Sequence, residues 1–86
     1  MNHSNPRIIE HTERKRKVLQ VLSETLEWFT ASDITVMTHM SKANSAKCIE
    51  SLLKEELIAC SVVRDRKYYA VTKRGLNSIK AETTDE

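Results

Sequence analysis

The stretch Ser41 to Leu57, SKANSAKCIESLLKEEL, changes period where it ends. Within it Ala46, Ile49, Leu52, Leu53 and Leu57 recur at helical spacing, while Lys42, Asn44, Lys47 and Ser51 fall on the other side. Directly after it Ile58, Cys60 and Val62 alternate with Ala59, Ser61 and Val63, the period of a strand. A helix with one apolar and one polar face therefore runs straight into β structure. The remainder of the 86 residues has to hold that helix in place by covering its apolar stripe.

A chain of this length supports one domain and a single small core, with roughly 60 to 65% of its unfolded surface removed from water. It holds one Gly and one Pro, which leaves neither flexible linkers nor a glycine loop to cradle a phosphate. Charged residues make up 30% of the chain yet nearly cancel to +2. Their distribution says more: Cys60 to Lys80 carries six basic side chains against the single acid Asp65, whereas Met1 to Met40 carries five of each. No apolar run approaches the roughly 20 residues needed to span a bilayer, and the polar start MNHSNPR is no secretion signal, so the expectation is a soluble cytoplasmic protein without a membrane partner. Cys48 and Cys60 sit inside periodic segments, as reduced structural thiols do, and with His39 they match no compact metal-ligand spacing; no metal or other cofactor is expected.

Taken in order, residues 1 to 11 read as a mobile arm, residues 12 to 81 as the folded domain and residues 82 to 86 as a disordered acidic tail. A first helix is expected from a cap at Thr12 to about Trp28, its inward face traced by Val18, Leu22, Thr25 or Leu26, and Phe29. Its early run ERKRK reads first as a solvated face, with phosphate contact as the rival reading. Phe29-Thr30-Ala31 is β-prone but short; Ser32 is the expected cap of a second helix to about His39, with Ile34, Met37 and Thr38 inward. His39-Met40-Ser41 forms a tight turn in which Met40 plugs the core and Ser41 caps the third helix. Lys67-Tyr68-Tyr69-Ala70-Val71 completes a hairpin with the first strand around the charged tip Arg64-Asp65-Arg66. Thr72 then caps a last helix from Lys73 to about Ala81, with Leu76 and Ile79 inward.

The order of these elements, with SDI opening the second helix, S-x7-I-x2-L-x4-L-I along the third and YYAVTKRG leaving the hairpin, resembles the winged helix-turn-helix family of bacterial transcription regulators over roughly Glu13 to Lys80. The resemblance implies an α+β, mainly α fold: a three-helix core, a β-hairpin wing and a C-terminal helix. It also implies that residues 42 to 56 form a recognition helix in the major groove of double-stranded DNA, while residues 64 to 67 lie on backbone or minor groove. Carried over by position, the DNA-binding candidates are Lys42, Ala43, Asn44, Ser45 and Lys47 on the helix and Arg64, Arg66 and Lys67 on the wing.

The side chains suit that chemistry. Asn pairs bidentately with adenine, Lys with guanine or phosphate, and the Ala43 methyl suits a thymine methyl. Ser45 lies nearer the buried side of the same turns, and His39 stands where many such turns carry glycine. A homodimer through the first and last helices is the expected assembly, since palindromic half-sites reward two-fold symmetry. The rival function is a protein-protein adaptor of the same fold using Lys54-Glu55-Glu56, Trp28 or the wing as its surface. An enzyme is not expected, because no nucleophile stands with a base and an orienting group.

Overall fold

The computed structural model describes residues 6–83, with side chains described for 11–81. In chain order the elements are α1 (Pro6–Thr25), α2 (Ala31–Thr38), α3 (Lys42–Lys54), β1 (Ile58–Val63), β2 (Arg66–Val71) and α4 (Lys73–Thr83). Three helices wrap one core, the two strands form an antiparallel hairpin, and α4 packs back on α1 and β2. This is the winged helix-turn-helix arrangement, α+β and mainly helical.

Helix α1 begins at Pro6, six residues before the expected cap at Thr12, which lies inside it. Proline is well suited to a first helical position, because the N–H it lacks would have no intrahelical partner there. The helix also stops at Thr25, short of Trp28: Leu26 turns left-handed at φ 57 while its N–H still reaches Leu22 O at 3.1 Å. That turn carries Leu26 (62% exposed) and Trp28 (50%) outward, and leaves Val18, Leu19 and Leu22 as the buried face. The expected arm and tail fall partly on residues 1–5 and 84–86, which lie outside the described residues; α4 itself runs two residues past the expected Ala81.

Phe29 forms a one-residue antiparallel bridge to Tyr69, its N–H donating to Tyr69 O at 2.9 Å and its O accepting from Tyr69 N–H at 2.7 Å. The cap of α2 is consequently the next residue, Thr30, and not Ser32. Thr30 Oγ1 accepts from Asp33 N–H and the Asp33 carboxylate accepts from Thr30 N–H, both at 3.1 Å. This reciprocal box satisfies two N–H groups that a helix start leaves without partners. Ile34 and Thr38 face inward as expected, and Met37 packs partly on the core.

In the turn that follows, His39 adopts φ 58 and donates its backbone N–H to the last carbonyls of α2, the left-handed cap that glycine more often supplies. Met40 packs partly against the core and Ser41 caps α3, its Oγ accepting from Asn44 N–H at 3.1 Å. Helix α3 ends at Lys54 and not at residue 56, because Glu56 turns left-handed at φ 62 and starts the chain toward β1.

Strands β1 and β2 pair from Ile58↔Val71 to Val63↔Arg66. The loop is thus two residues long, Arg64 and Asp65, both with positive φ (51 and 65), as a type I′ turn requires. Arg66, expected at the tip, is the first residue of β2. Thr72 joins the hairpin to α4: its hydroxyl donates to Glu56 O at 2.8 Å and accepts from Gly75 N–H at 3.0 Å. The need for glycine three residues on is steric. A Cβ at position 75 would lie 2.2 Å from Leu57 O and 2.8 Å from Val71 Cγ2.

Candidate nucleic-acid interface

The inward stripe of α3 is Ser45, Cys48, Ile49 and Leu52, spaced i, i+3, i+4 and i+7, and it meets Val18, Leu22 and Ile34 in the core. Two of the small residues bear on the expected faces: Ser45 is buried, as its spacing suggests and against the contact role carried over to it, and Ala46 is not part of the stripe. Ser45, a candidate contact residue, is 1% exposed, and its Oγ lies 2.5 Å from Thr35 Oγ1 and 3.1 Å from Lys42 O. It ties α3 to α2 and is closed to a groove. Ala46, expected inward, is exposed.

The outer face of α3 presents Lys42, Ala43, Ala46, Lys47, Glu50 and Lys54 to solvent, with Asn44 half-buried at its edge. Its N-terminal two turns carry two lysines and no acid, and Ser41 satisfies just one of the N–H groups of the first turn. The remaining N–H groups add a partial positive charge at that end. Beyond them Glu50 and then Glu55 make the second half of the helix a poor neighbour for phosphate.

The wing supplies the other candidates. Arg64, Arg66 and Lys67 are all exposed around the turn. Arg66 and Lys67 also line, with Thr30 to Asp33 and Tyr69, a cleft between strand β2 of the wing and the start of α2. The N-terminal end of α2 thus joins the same basic surface, a feature the sequence signals through Thr30-x-x-Asp33 and one overlooked when Ser32 is taken as the cap.

The ERKRK run divides among different tasks. Glu13, Arg14 and Lys17 border a cleft completed by Thr38, His39 and Met40, so they stand beside the turn leading into α3. Lys15 is largely covered and pairs with Glu55, tying α1 to the far end of α3. Burial raises the Cys48 thiol above its usual range, with Arg14 and Lys15 opposing the shift. Cys48 is fully buried and Cys60 exposed, and neither is in a disulfide. Among the described residues no three His, Cys, Asp or Glu side chains form a metal-binding group, and no helix is long and apolar enough to cross a membrane.

No protein-family model matches the sequence, and comparison with curated proteins found no match. Solved structures do match. The chain is similar to a double mutant of Lactococcus lactis ZitR in its apo form, with a TM-score of 0.73 and 21% identity over 90% of this chain and 59% of that one. It is similar to a MarR family transcriptional regulator from Silicibacter pomeroyi, with a TM-score of 0.74 and 18% identity over 83% of this chain and 48% of that one. A Staphylococcus aureus MepR–DNA complex gives a TM-score of 0.74 and 16% identity over 91% of this chain and 74% of that one. The chain spans about half to three-fifths of the length of the first two. At these identities the likeness establishes the winged-helix fold.

Proposed function

We propose that this chain is the DNA-reading domain of a transcription regulator, with the first two turns of α3 in the major groove of duplex DNA and the wing on backbone or minor groove. The observation that carries the reading is the asymmetry of α3: Lys42, Ala43, Ala46 and Lys47 form an exposed acid-free surface on a helix whose opposite side is fixed in the core. A helix so presented fits a major groove, and cations at its start meet phosphate or guanine. Structural similarity to regulators, one of them crystallised with DNA, supports the same reading. Sequence selectivity would come from Asn44, Lys42 and Lys47; Arg64, Arg66 and Lys67 would contribute mainly salt-dependent affinity. Two-fold assembly on palindromic half-sites, with α1 and α4 as one candidate surface, belongs to the same reading.

The test is fluorescence anisotropy with random duplex DNA at several salt concentrations, for the wild type and for Lys42→Ala/Lys47→Ala. Binding at low salt that falls with salt and with the double substitution is expected. No binding at low salt, or binding indifferent to both, rejects the reading. The adaptor alternative rests on Leu26, Trp28 and Val36, which are 62%, 50% and 72% exposed and take no part in the basic surface. It becomes the leading reading if the anisotropy experiment shows no DNA binding.

A further inference from the structure

β1 is the outer strand of the sheet, and its free edge is unprotected. On the far side of β2, Tyr69 exchanges both main-chain hydrogen bonds with Phe29, so its N–H and C=O point away from β1. The pair Cys60↔Tyr69 is therefore a non-hydrogen-bonded pair of the hairpin, and the backbone groups of Cys60 point the opposite way, out of the sheet. By the alternation of an antiparallel ladder the same holds for Ile58 and Val62. Soluble proteins commonly blunt such edges with charge, proline or a bulge. The strand IACSVV has no charged residue and no proline, pairs without a bulge, and exposes Cys60, Val62 (61%) and Val63 (51%).

We propose that β1 pairs antiparallel with β1 of a second copy of this chain, across a two-fold axis at Cys60. The outward backbone groups lie at positions 58, 60 and 62, so this register exchanges hydrogen bonds between the two copies of Cys60 and sets Val62 beside the partner's Ile58. Beyond the ladder, where Arg64 and Glu56 turn left-handed out of the strand, the same two-fold brings the Arg64 end of one copy toward the Glu56 end of the other. Each copy thus brings an uncharged middle flanked by a basic end and an acidic end. Antiparallel pairing matches those charges, whereas parallel pairing would stack Arg64 on Arg64 and Glu56 on Glu56. The Glu56 side chain is 78% exposed, and its contact with the equally open Arg74 is 3.7 Å long, which leaves it available to a second cation. The proposal concerns the free protein and is independent of DNA binding.

Sedimentation velocity without DNA, over a roughly hundredfold range of concentration, tests it. The expected result is a concentration-dependent shift from one copy to two. Val62→Lys, which puts a charge on the edge, and Cys60→Pro, which removes an outward N–H and leaves the hairpin ladder intact, should each raise the dissociation constant by roughly tenfold or more. Glu56→Arg and Arg64→Glu should each weaken the dimer and together restore it; both sites are exposed, so this swap reads the register without disturbing the core. Thiol oxidation should cross-link the dimer through Cys60 and fail in Cys60→Ser, since a hydrogen-bonded pair holds its Cα atoms about 5.5 Å apart, within reach of a disulfide. A single copy at every concentration overturns the proposal. So does a dimer that ignores Val62→Lys and the charge swap.

Discussion

Ser45 Oγ and Thr35 Oγ1 lie 2.5 Å apart, and through them the two helices of the helix-turn-helix are hydrogen-bonded side chain to side chain. Thr35 also reaches Ala31 O at 2.8 Å, so the link continues into the backbone of α2. Ser45→Ala breaks the chain at a position that is 1% exposed. The expected loss is about 1–2 kcal/mol of unfolding free energy in urea. DNA affinity, measured where both proteins are folded, should stay unchanged. A large loss of affinity at full folding would mean that Ser45 reads DNA after all.

Gly75→Ala pits helix propensity against space. Alanine inside a helix gains about 1 kcal/mol over glycine. Here the new methyl would sit 2.2 Å from the backbone oxygen of Leu57, which no rotamer change can move aside. Crowding of this kind costs about 1–3 kcal/mol and occasionally more. A contact this short with backbone puts the cost at the top of that range, about 3 kcal/mol, so the expected net effect is destabilisation by about 2 kcal/mol, seen as a lower urea midpoint.

At the wing tip stability and binding should move in opposite directions. Arg64 and Asp65 occupy positive φ without glycine. Replacing them by the turn pair Asn-Gly (Arg64→Asn/Asp65→Gly) should raise stability by about 1 kcal/mol, because a non-glycine residue in this region costs about that much. The same change removes the Arg64 cation together with the Asp65 acid, so the net charge of the wing is unchanged. A fall in DNA affinity while the denaturation midpoint rises is expected through loss of Arg64's own contact, and Arg64→Asn alone should weaken binding further.

Five exposed cations, Lys42, Lys47, Arg64, Arg66 and Lys67, bear on the proposed salt dependence. Release of their counterions gives a log-log slope of about −4 to −6 for one domain. Lys42→Ala/Lys47→Ala should flatten that slope by about 2. A steeper wild-type slope would bring Arg14 and Lys17, beside the turn into α3, onto the phosphates as well.

The buried Cys48 thiol gives stability an alkaline limit. Burial raises its folded-state pKa above the unfolded value, so the native state holds the proton more firmly. Its contribution is complete below the unfolded pKa and is lost as pH rises through the folded one. Tyr69 adds the same sign at higher pH, its phenol raised by burial and by Cys60. Unfolding free energy should thus decline from about pH 8.5 upward. In native protein an aromatic disulfide reagent should titrate Cys60 promptly and Cys48 only on unfolding.

The order and type of every element were legible in the sequence, and so were the caps at Ser41 and Thr72, because period and capping chemistry are local. Boundaries that depend on left-handed residues were not. All five positive-φ positions among the described residues, Leu26, His39, Glu56, Arg64 and Asp65, are non-glycine, so the usual marker of a break is missing where α1 and α3 end. On α3 the spacing already sets Ser45 nearer the buried side, against the contact role that the resemblance implies for it, and the one misplaced residue is Ala46. Alanine ranks as apolar, yet the rows set by Cys48, Ile49 and Leu52 pass through position 45 and miss 46. Thr35 gives Ser45 the partner it needs to be buried, and that partner is ten residues away. On the wing, the basic residues at the hairpin tip are visible in the sequence, while the cleft that Arg66 and Lys67 share with α2 depends on a tertiary approach that no local pattern records.

The Phe29–Tyr69 bridge makes the wing a lever with its fulcrum inside the domain. Thr30, the residue after the bridge, begins α2, and α2 carries the hydroxyl that grips α3. The bridge therefore fixes the start of α2 to β2. If Arg64 meets DNA as proposed, that contact and the helix that would read the bases are joined through one pair of backbone hydrogen bonds.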